Sequence, residues 1–317
     1  MPQGSILGPL LFLIYVNDME NCLDCDLYLY ADDSALVVSG TDINEIESQL
    51  QRNLESLSVW LEENKLSLHL GKTESILFGT KQRLKSGKQL DIECKGVKIK
   101  PNSFVKYLGC ILEQDLSGYA TCTAIAKKVN SGLKFLYRKR SFLGFKDKKR
   151  VCTAFLQPYF DYACISWYFG APKVLKNKLQ ICQNKMIRFI YGFDCRTHLD
   201  AFHFVQLNTL NVAARVNFLA LNMMHKIYNN TAPSYMCTAS LVQNTHGHNT
   251  RNSKHAFVVN HAKSLGSKTF ICNGIKLWNN LPIEVQSIRD NSVFKVKCKN
   301  LLFSEMVSIE TKDFIFY

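Results

Sequence analysis

The chain has 317 residues, 47% of them hydrophobic, which is enough to bury a sizeable core and excludes a disordered or fibrous class. Its formal charge of +13 is unevenly spread: residues 1–80 carry 3 Lys and Arg against 13 Asp and Glu, net −10, which leaves 36 against 13, net +23, for the remainder. An acidic front and a basic back suit a cation site and a polyanion site respectively, and the 12 scattered cysteines, with Cys22-x-x-Cys25 lacking a second pair at zinc-ribbon spacing, read as reduced thiols.

The apolar run Ile6 to Val16 has no Lys or Arg before it and no small-residue cleavage site after it. It is also shorter than the ~20 residues of a spanning helix, so neither a secretory signal nor a membrane anchor is expected. Ser5 is a candidate N-cap, and Ile6 to Met19 is apolar on nearly every face, which predicts a buried helix. Gly4 at its entrance would let a ligand approach the backbone, where the first helical N–H groups suit phosphate; a plain loop before a core helix is the blander reading. Next, Asp26 to Tyr30 alternates polar and bulky residues and Ala35 to Val38 is apolar, so the two predict a hairpin with Asp32 and Asp33 at its turn. Carboxylates held ~15 Å apart or closer repel by about 1 kcal/mol or more at an effective dielectric of ~20, so the pair calls for a cation. Mg²⁺ fits, because it takes oxygen ligands and typically keeps one or two carboxylates beside waters and substrate phosphates. An Asp-rich surface turn is the alternative.

Asp42-x-x-Glu45 has the form of a capping box, and Ile43, Leu50, Leu54, Leu57 and Leu61 recur at helical spacing, so a helix packing across the hairpin is expected. The alternation of Leu66, Leu68 and Leu70 and the run Ser75 to Phe78 predict two strands flanking Lys72, itself equally readable as a solvated lysine. Lys81 to Lys100 reads as a connecting hairpin with short strands near Leu90 to Ile99. From Ile125 the period becomes helical: Val129, Leu133 and Leu136 fall within about 0 to 80° of Ile125, and Lys127, Lys134 and Arg138 within about 180 to 220°. Asp147 is the one acid between Lys127 and Arg150, and so one-sided a run favours phosphate contacts over a solvated face. The aromatic segment Phe155 to Phe169, the basic stretch Val174 to Tyr191, and the stripe Val212, Val216, Leu219, Met223 and Ile227, ending before Pro233, continue an all-helical region. His246, His248, His255 and His261 lie between Cys237 and Cys272 without a recognised zinc spacing.

Taken together, Pro2-Gln3-Gly4-Ser5, Tyr30-Ala31-Asp32-Asp33, Trp60, Asn64-Lys65-Leu66-Ser67-Leu68, Lys72-Thr73-Glu74 and Tyr107-Leu108-Gly109, in that order, resemble the reverse transcriptases of non-LTR retrotransposons, the LINE or jockey-like group. Lys276-Leu277-Trp278-Asn279-Asn280-Leu281-Pro282 with Phe294-Lys295 also resembles a segment near the C-termini of these polymerases. The resemblance implies an α+β fold: a partial polymerase palm over residues 1–114, a helical thumb over 115–200 and a mainly helical C-terminal extension over 201–317. It implies RNA-directed DNA synthesis with two Mg²⁺ ions in the intact family, Asp32 and Asp33 as catalytic metal ligands and Lys72 as proton donor to the departing pyrophosphate. Gln3, Gly4 and Tyr30 would lie against the incoming deoxynucleoside triphosphate and template, Tyr107 and Gly109 against the primer, and Lys127, Lys134 and Arg138 against phosphates. RNA template and DNA primer are the implied partners, in the nucleus or cytoplasm and not at a membrane.

Met1 directly precedes Pro-Gln-Gly-Ser, so the family's fingers and the strand bearing its first catalytic Asp are expected on an upstream polymerase segment, and the chain by itself is expected to be inactive. A non-catalytic nucleic-acid-binding remnant and a scaffold without retained biochemistry are the alternatives; a retroviral enzyme is disfavoured because no ribonuclease H pattern follows the thumb.

Overall fold

A computed structural model of the chain describes residues 4–85, 90–238 and 265–313, which leaves Gln3 and the four histidines 246, 248, 255 and 261 outside the described residues. The chain divides into two compact units, residues 1–105 and 106–317. Helices alternate with small strand pairs in the first, and the second is almost wholly helical, consistent with an α+β class.

The first unit opens with α1 (Gly8–Val16), whose start is set by Pro9 rather than by Ser5, since a proline near the first helical position gives up an N–H that had no partner. The expectation of a buried helix over Ile6 to Met19 is corrected here. Only Val16 of α1 is buried, while Leu10, Leu11, Leu13 and Ile14 are each about half exposed or more, because within this unit only Phe12 and Val16 reach the small core formed with Met19, Leu57, Trp60 and Leu61. Strands β1 (Asp26–Tyr30) and β2 (Asp33–Val37) pair antiparallel, and their inward residues Leu27 and Leu36 rest on that core.

Helix α2 (Ile43–Glu63) begins where the Asp42 carboxylate accepts from the Asn44 N–H, so the cap is present in a simpler form than a capping box. It ends at Asn64, where Lys65 turns left-handed (φ 54°) and the Leu66 N–H returns to the Leu61 carbonyl at 2.7 Å. The expected strand over Leu66 to Leu70 is replaced by coil and a single 3₁₀ turn, Leu70–Lys72, and the second strand shrinks to β3 (Glu74–Ser75). Leu66, Leu68 and Leu70 all pack into the unit's core regardless, so their alternation marks burial rather than pairing. After the short α3 (Lys81–Leu84), β4 (Glu93–Cys94) and β5 (Val97–Lys98) form a hairpin through left-handed Lys95 and Gly96. β6 (Lys100–Pro101) runs parallel to β3.

Strands β7 (Phe104–Tyr107) and β8 (Cys110–Glu113) form the last pair and lead into α4 (Tyr119–Arg138). Gly118 takes the cap position at φ 61°, and a Cβ there would sit 2.6 Å from the Trp167 carbonyl oxygen, so only glycine fits. The missing cap side chain is replaced from a distance: the Glu113 carboxylate accepts from the N–H groups of Tyr119 at 2.7 Å and Ala120 at 2.9 Å. The chain continues through α5 (Phe145–Val151), a π turn over Cys152–Leu156 just ahead of Pro158, whose missing N–H breaks the regular ladder, then α6 (Gln157–Asp161) and α7 (Cys164–Trp167). Then follow α8 (Lys173–Tyr191), α9 (Ala201–Gln206), α10 (Val212–Tyr228), α11 (Ser234–Thr238), α12 (Phe270–Asn279), α13 (Ile283–Gln286) and α14 (Asn291–Asp313). One hydrophobic core joins them, from Cys122 and Val129 on α4 through Leu179, Ile187, Val216 and Met224 to Trp278 and Phe294, so helices on both sides of residue 200 share it. No helix of the described residues is long and apolar enough to cross a membrane.

Candidate functional site

In the first unit the acidic pair sits at the hairpin tip. Tyr30 and Asp33 form the last cross-strand pair, and the two-residue turn between them, Ala31 and Asp32, is possible because Ala31 adopts the left-handed conformation at φ 51°. Asp32 is therefore in the turn and Asp33 begins β2, both exposed, beside an exposed Tyr30. The hairpin is fixed from behind. Asn53, buried in α2, accepts from the Asp24 N–H at 2.7 Å with its amide oxygen and donates to the Gln49 carbonyl at 2.8 Å with its nitrogen, pinning the chain just before β1. The Tyr15 hydroxyl donates to the Asn64 carbonyl and links α1 to the end of α2.

Two carboxylates free of any ion pair among the described residues offer hard oxygen donors of the kind Mg²⁺ prefers, so the donor chemistry fits a divalent cation. The donor count does not complete a site: among the described residues no three His, Cys, Asp or Glu side chains come together as metal ligands. Gly4 lies at φ 87° with open space where a Cβ would project, which suits close backbone approach. Lys72 ends the 3₁₀ turn, exposed, with the Lys72 N–H bonded back to the His69 carbonyl at 2.9 Å.

In the second unit the face of α4 expected to be buried is buried, with Ile125, Val129, Leu133 and Leu136 each below 9% exposure, while Lys127, Lys134 and Arg138 are exposed and unpaired among the described residues. A cation without a carboxylate partner keeps its charge for an external anion. At the β7–β8 turn Leu108 and Gly109 are both left-handed, at φ 45° and 80°, with Tyr107 closing β7. Sequence reasoning missed two residues that hold these elements: Glu113, which caps α4 from six and seven residues upstream outside any standard N-cap spacing, and Tyr162, which donates its hydroxyl to the Leu108 carbonyl across 54 residues.

Within the segment Lys276 to Pro282, Trp278 and Leu281 pack inward. Trp278 is fully buried and forms a ring cluster with His225 and Phe294, whose own centroids lie 4.1 Å apart at 22°, and the Gln286 amide donates to the carbonyls of Trp278 at 3.0 Å and Leu281 at 2.8 Å. It is a device for docking α12 and α14 on α10.

Residues 1–112 match the family model described as reverse transcriptase (RNA-dependent DNA polymerase). The chain is similar to the RNA-directed DNA polymerase from mobile element jockey of Drosophila funebris, 28% identical over 208 residues, which cover 61% of this chain and 22% of that protein. It is also similar to two proteins of Drosophila melanogaster: the probable RNA-directed DNA polymerase from transposon BS, 30% identical over 201 residues with 60% and 22% coverage, and that from transposon X-element, 26% identical over 201 residues with 61% and 22% coverage. The chain thus spans about a fifth of the length of these relatives, 22% in each case. No solved structure matches it.

Proposed function

We propose that this chain, a reverse transcriptase sequence of the jockey-like non-LTR mobile-element kind through residues 1–112, supplies the metal-binding hairpin and the primer–template grip of an RNA-directed DNA polymerase. The observation that carries the reading is the exposed Asp32–Asp33 pair on a hairpin tip pinned by Asn53. In the reaction proposed, the primer 3′-hydroxyl attacks the α-phosphate of a deoxynucleoside triphosphate and pyrophosphate leaves. Asp32 and Asp33 would hold divalent metal by their carboxylate oxygens, and the metal, when bound, would supply charge stabilisation at the transferring phosphate. Lys72 would give a proton to the pyrophosphate. Gln3, Gly4 and Tyr30 would lie against nucleotide and template, and Tyr107 and Gly109 against the primer end.

Lys127, Lys134 and Arg138 would take phosphates of the template–primer duplex, reading charge rather than sequence. Palm, thumb and extension would then fall at 1–114, 115–200 and 201–317, working inside the cell, in nucleus or cytoplasm.

Two carboxylates are too few for a two-ion site, so the chain alone should bind hybrid without extending primers until another polymerase segment contributes a further acidic donor. Primer extension with and without such a segment tests this. A second reading, a non-catalytic nucleic-acid-binding protein, draws on the unpaired cations of α4; it predicts that no added segment restores synthesis.

A further inference from the structure

The end of α6 is held from several sides. Its last residue, Asp161, accepts from Arg215 Nε at 3.0 Å and Nη2 at 2.9 Å, a two-point ion pair whose side chains are 23% and 30% exposed, and from Gln157 Nε2 at 2.9 Å. The backbone leaves the helix at the next residue: Tyr162 is extended (ψ 116°), Ala163 is left-handed (φ 46°), and the Trp167 indole N–H donates to the Tyr162 carbonyl at 3.1 Å. Tyr162 is therefore fixed at both its flanks before its side chain makes any contact. That side chain reaches the β7–β8 turn, where the hydroxyl donates to the Leu108 carbonyl and the ring lies so close to Gly109 that a Cβ there would stand 3.3 Å from it.

Leu108 sits in a left-handed conformation that a branched side chain disfavours, so the turn depends on outside support to stay in one shape. The Leu108 carbonyl and the Gly109 N–H belong to one planar peptide unit, so a donor that fixes the direction of the first also fixes the second. We propose that Tyr162 is a positioning residue for the Leu108–Gly109 turn and that, through Asp161 and Arg215, helix α10 takes part in setting where the primer 3′ end is held. This rests on the reading of Tyr107 and Gly109 as primer-holding residues. It gives a part of the chain beyond residue 200 a role at the hairpin.

The test uses the full chain bound to an RNA/DNA hybrid carrying 2-aminopurine as the 3′-terminal primer nucleotide. Tyr162→Phe keeps the ring and removes the donor. The equilibrium between the held and the freed primer end should shift about fivefold towards the freed end, the value of one lost hydrogen bond, so that the terminal fluorescence change falls, while the salt slope of hybrid binding, set by the α4 cations, stays as in the wild type. Arg215→Lys, which cannot reproduce the two-point pairing, should shrink the same signal in part. In the free chain, hydrogen exchange over residues 104–113 should quicken in Tyr162→Phe.

A terminal signal and exchange pattern unchanged by Tyr162→Phe would overturn the inference while leaving the hybrid-binding reading intact. Exchange that quickens with no change at the primer end would equally overturn it, reducing the contact to a structural one. A wild-type chain that binds no hybrid would overturn the underlying reading and this inference with it, a result distinct from either.

Discussion

Tyr30 and Asp33 face each other as the closing pair of the β1–β2 hairpin, and the turn between them closes only because Ala31 accepts a left-handed backbone at φ 51°. A β-branched side chain tolerates that region worst. Ala31→Val should cost about 1–2 kcal/mol of stability and Ala31→Gly should be neutral or mildly stabilising, as read by urea midpoints.

The cationic face of α4 should dominate binding to nucleic acid. Replacing Lys127, Lys134 and Arg138 together by alanine should flatten the slope of log affinity against log salt by about 2 to 3 units for a duplex or hybrid, at roughly 0.9 per lost phosphate contact. An unchanged slope would remove α4 from the interface.

Trp278 separates packing from binding. Trp278→Ala empties the centre of the ring cluster with His225 and Phe294 and should cost about 3–5 kcal/mol. The salt slope of the folded fraction should not move, since no cation of α4 packs on that ring.

Burial pushes the thiol of Cys122 from 9.0 up to about 11 and those of Cys152, Cys164 and Cys298 up to about 12. The fold therefore favours the protonated thiols. Stability from this source is complete below about pH 9, where both folded and unfolded thiols are protonated, and is lost as the pH rises from there towards 11 and 12. Denaturant midpoints should be flat from about pH 7 to 8 and fall above about pH 9, less steeply in Cys152→Ala than in the wild type once its lower baseline is allowed for. Equal slopes would contradict the assignment.

The helical stripes were legible in the sequence, because a 3.6-residue period survives whatever surrounds it: Leu54, Leu57 and Leu61 on α2 and Val129, Leu133 and Leu136 on α4 are buried as their spacing predicts. The acidic turn was legible for a similar local reason. What misled was apolarity without period. The run Ile6 to Met19 reads as core, yet Leu10, Leu13 and Ile14 face outward, since hydrophobic content states what a segment would gain from cover and not whether cover exists within its unit. Leu66, Leu68 and Leu70 alternate and are packed, but with no strand pairing with them among the described residues Leu66 and Leu68 remain coil and Leu70 opens a 3₁₀ turn. Glu113 caps α4 across a six- and seven-residue gap that no standard N-cap spacing flags, and Tyr162 reaching Leu108 carries no local signal at all, because its partner lies 54 residues away and only the fold brings it near.

Under the proposed function, Asp32 and Asp33 would hold metal in a polymerase site that needs a further acidic donor. Mg²⁺-dependent primer extension on an RNA template addresses it most directly, with the purified chain alone, with an added polymerase segment bearing that acid, and with Asp32→Asn in the complemented mixture. We expect no synthesis from the chain alone, synthesis after complementation, and its abolition by Asp32→Asn. Robust synthesis by the chain alone, or full activity of complemented Asp32→Asn, would contradict the account.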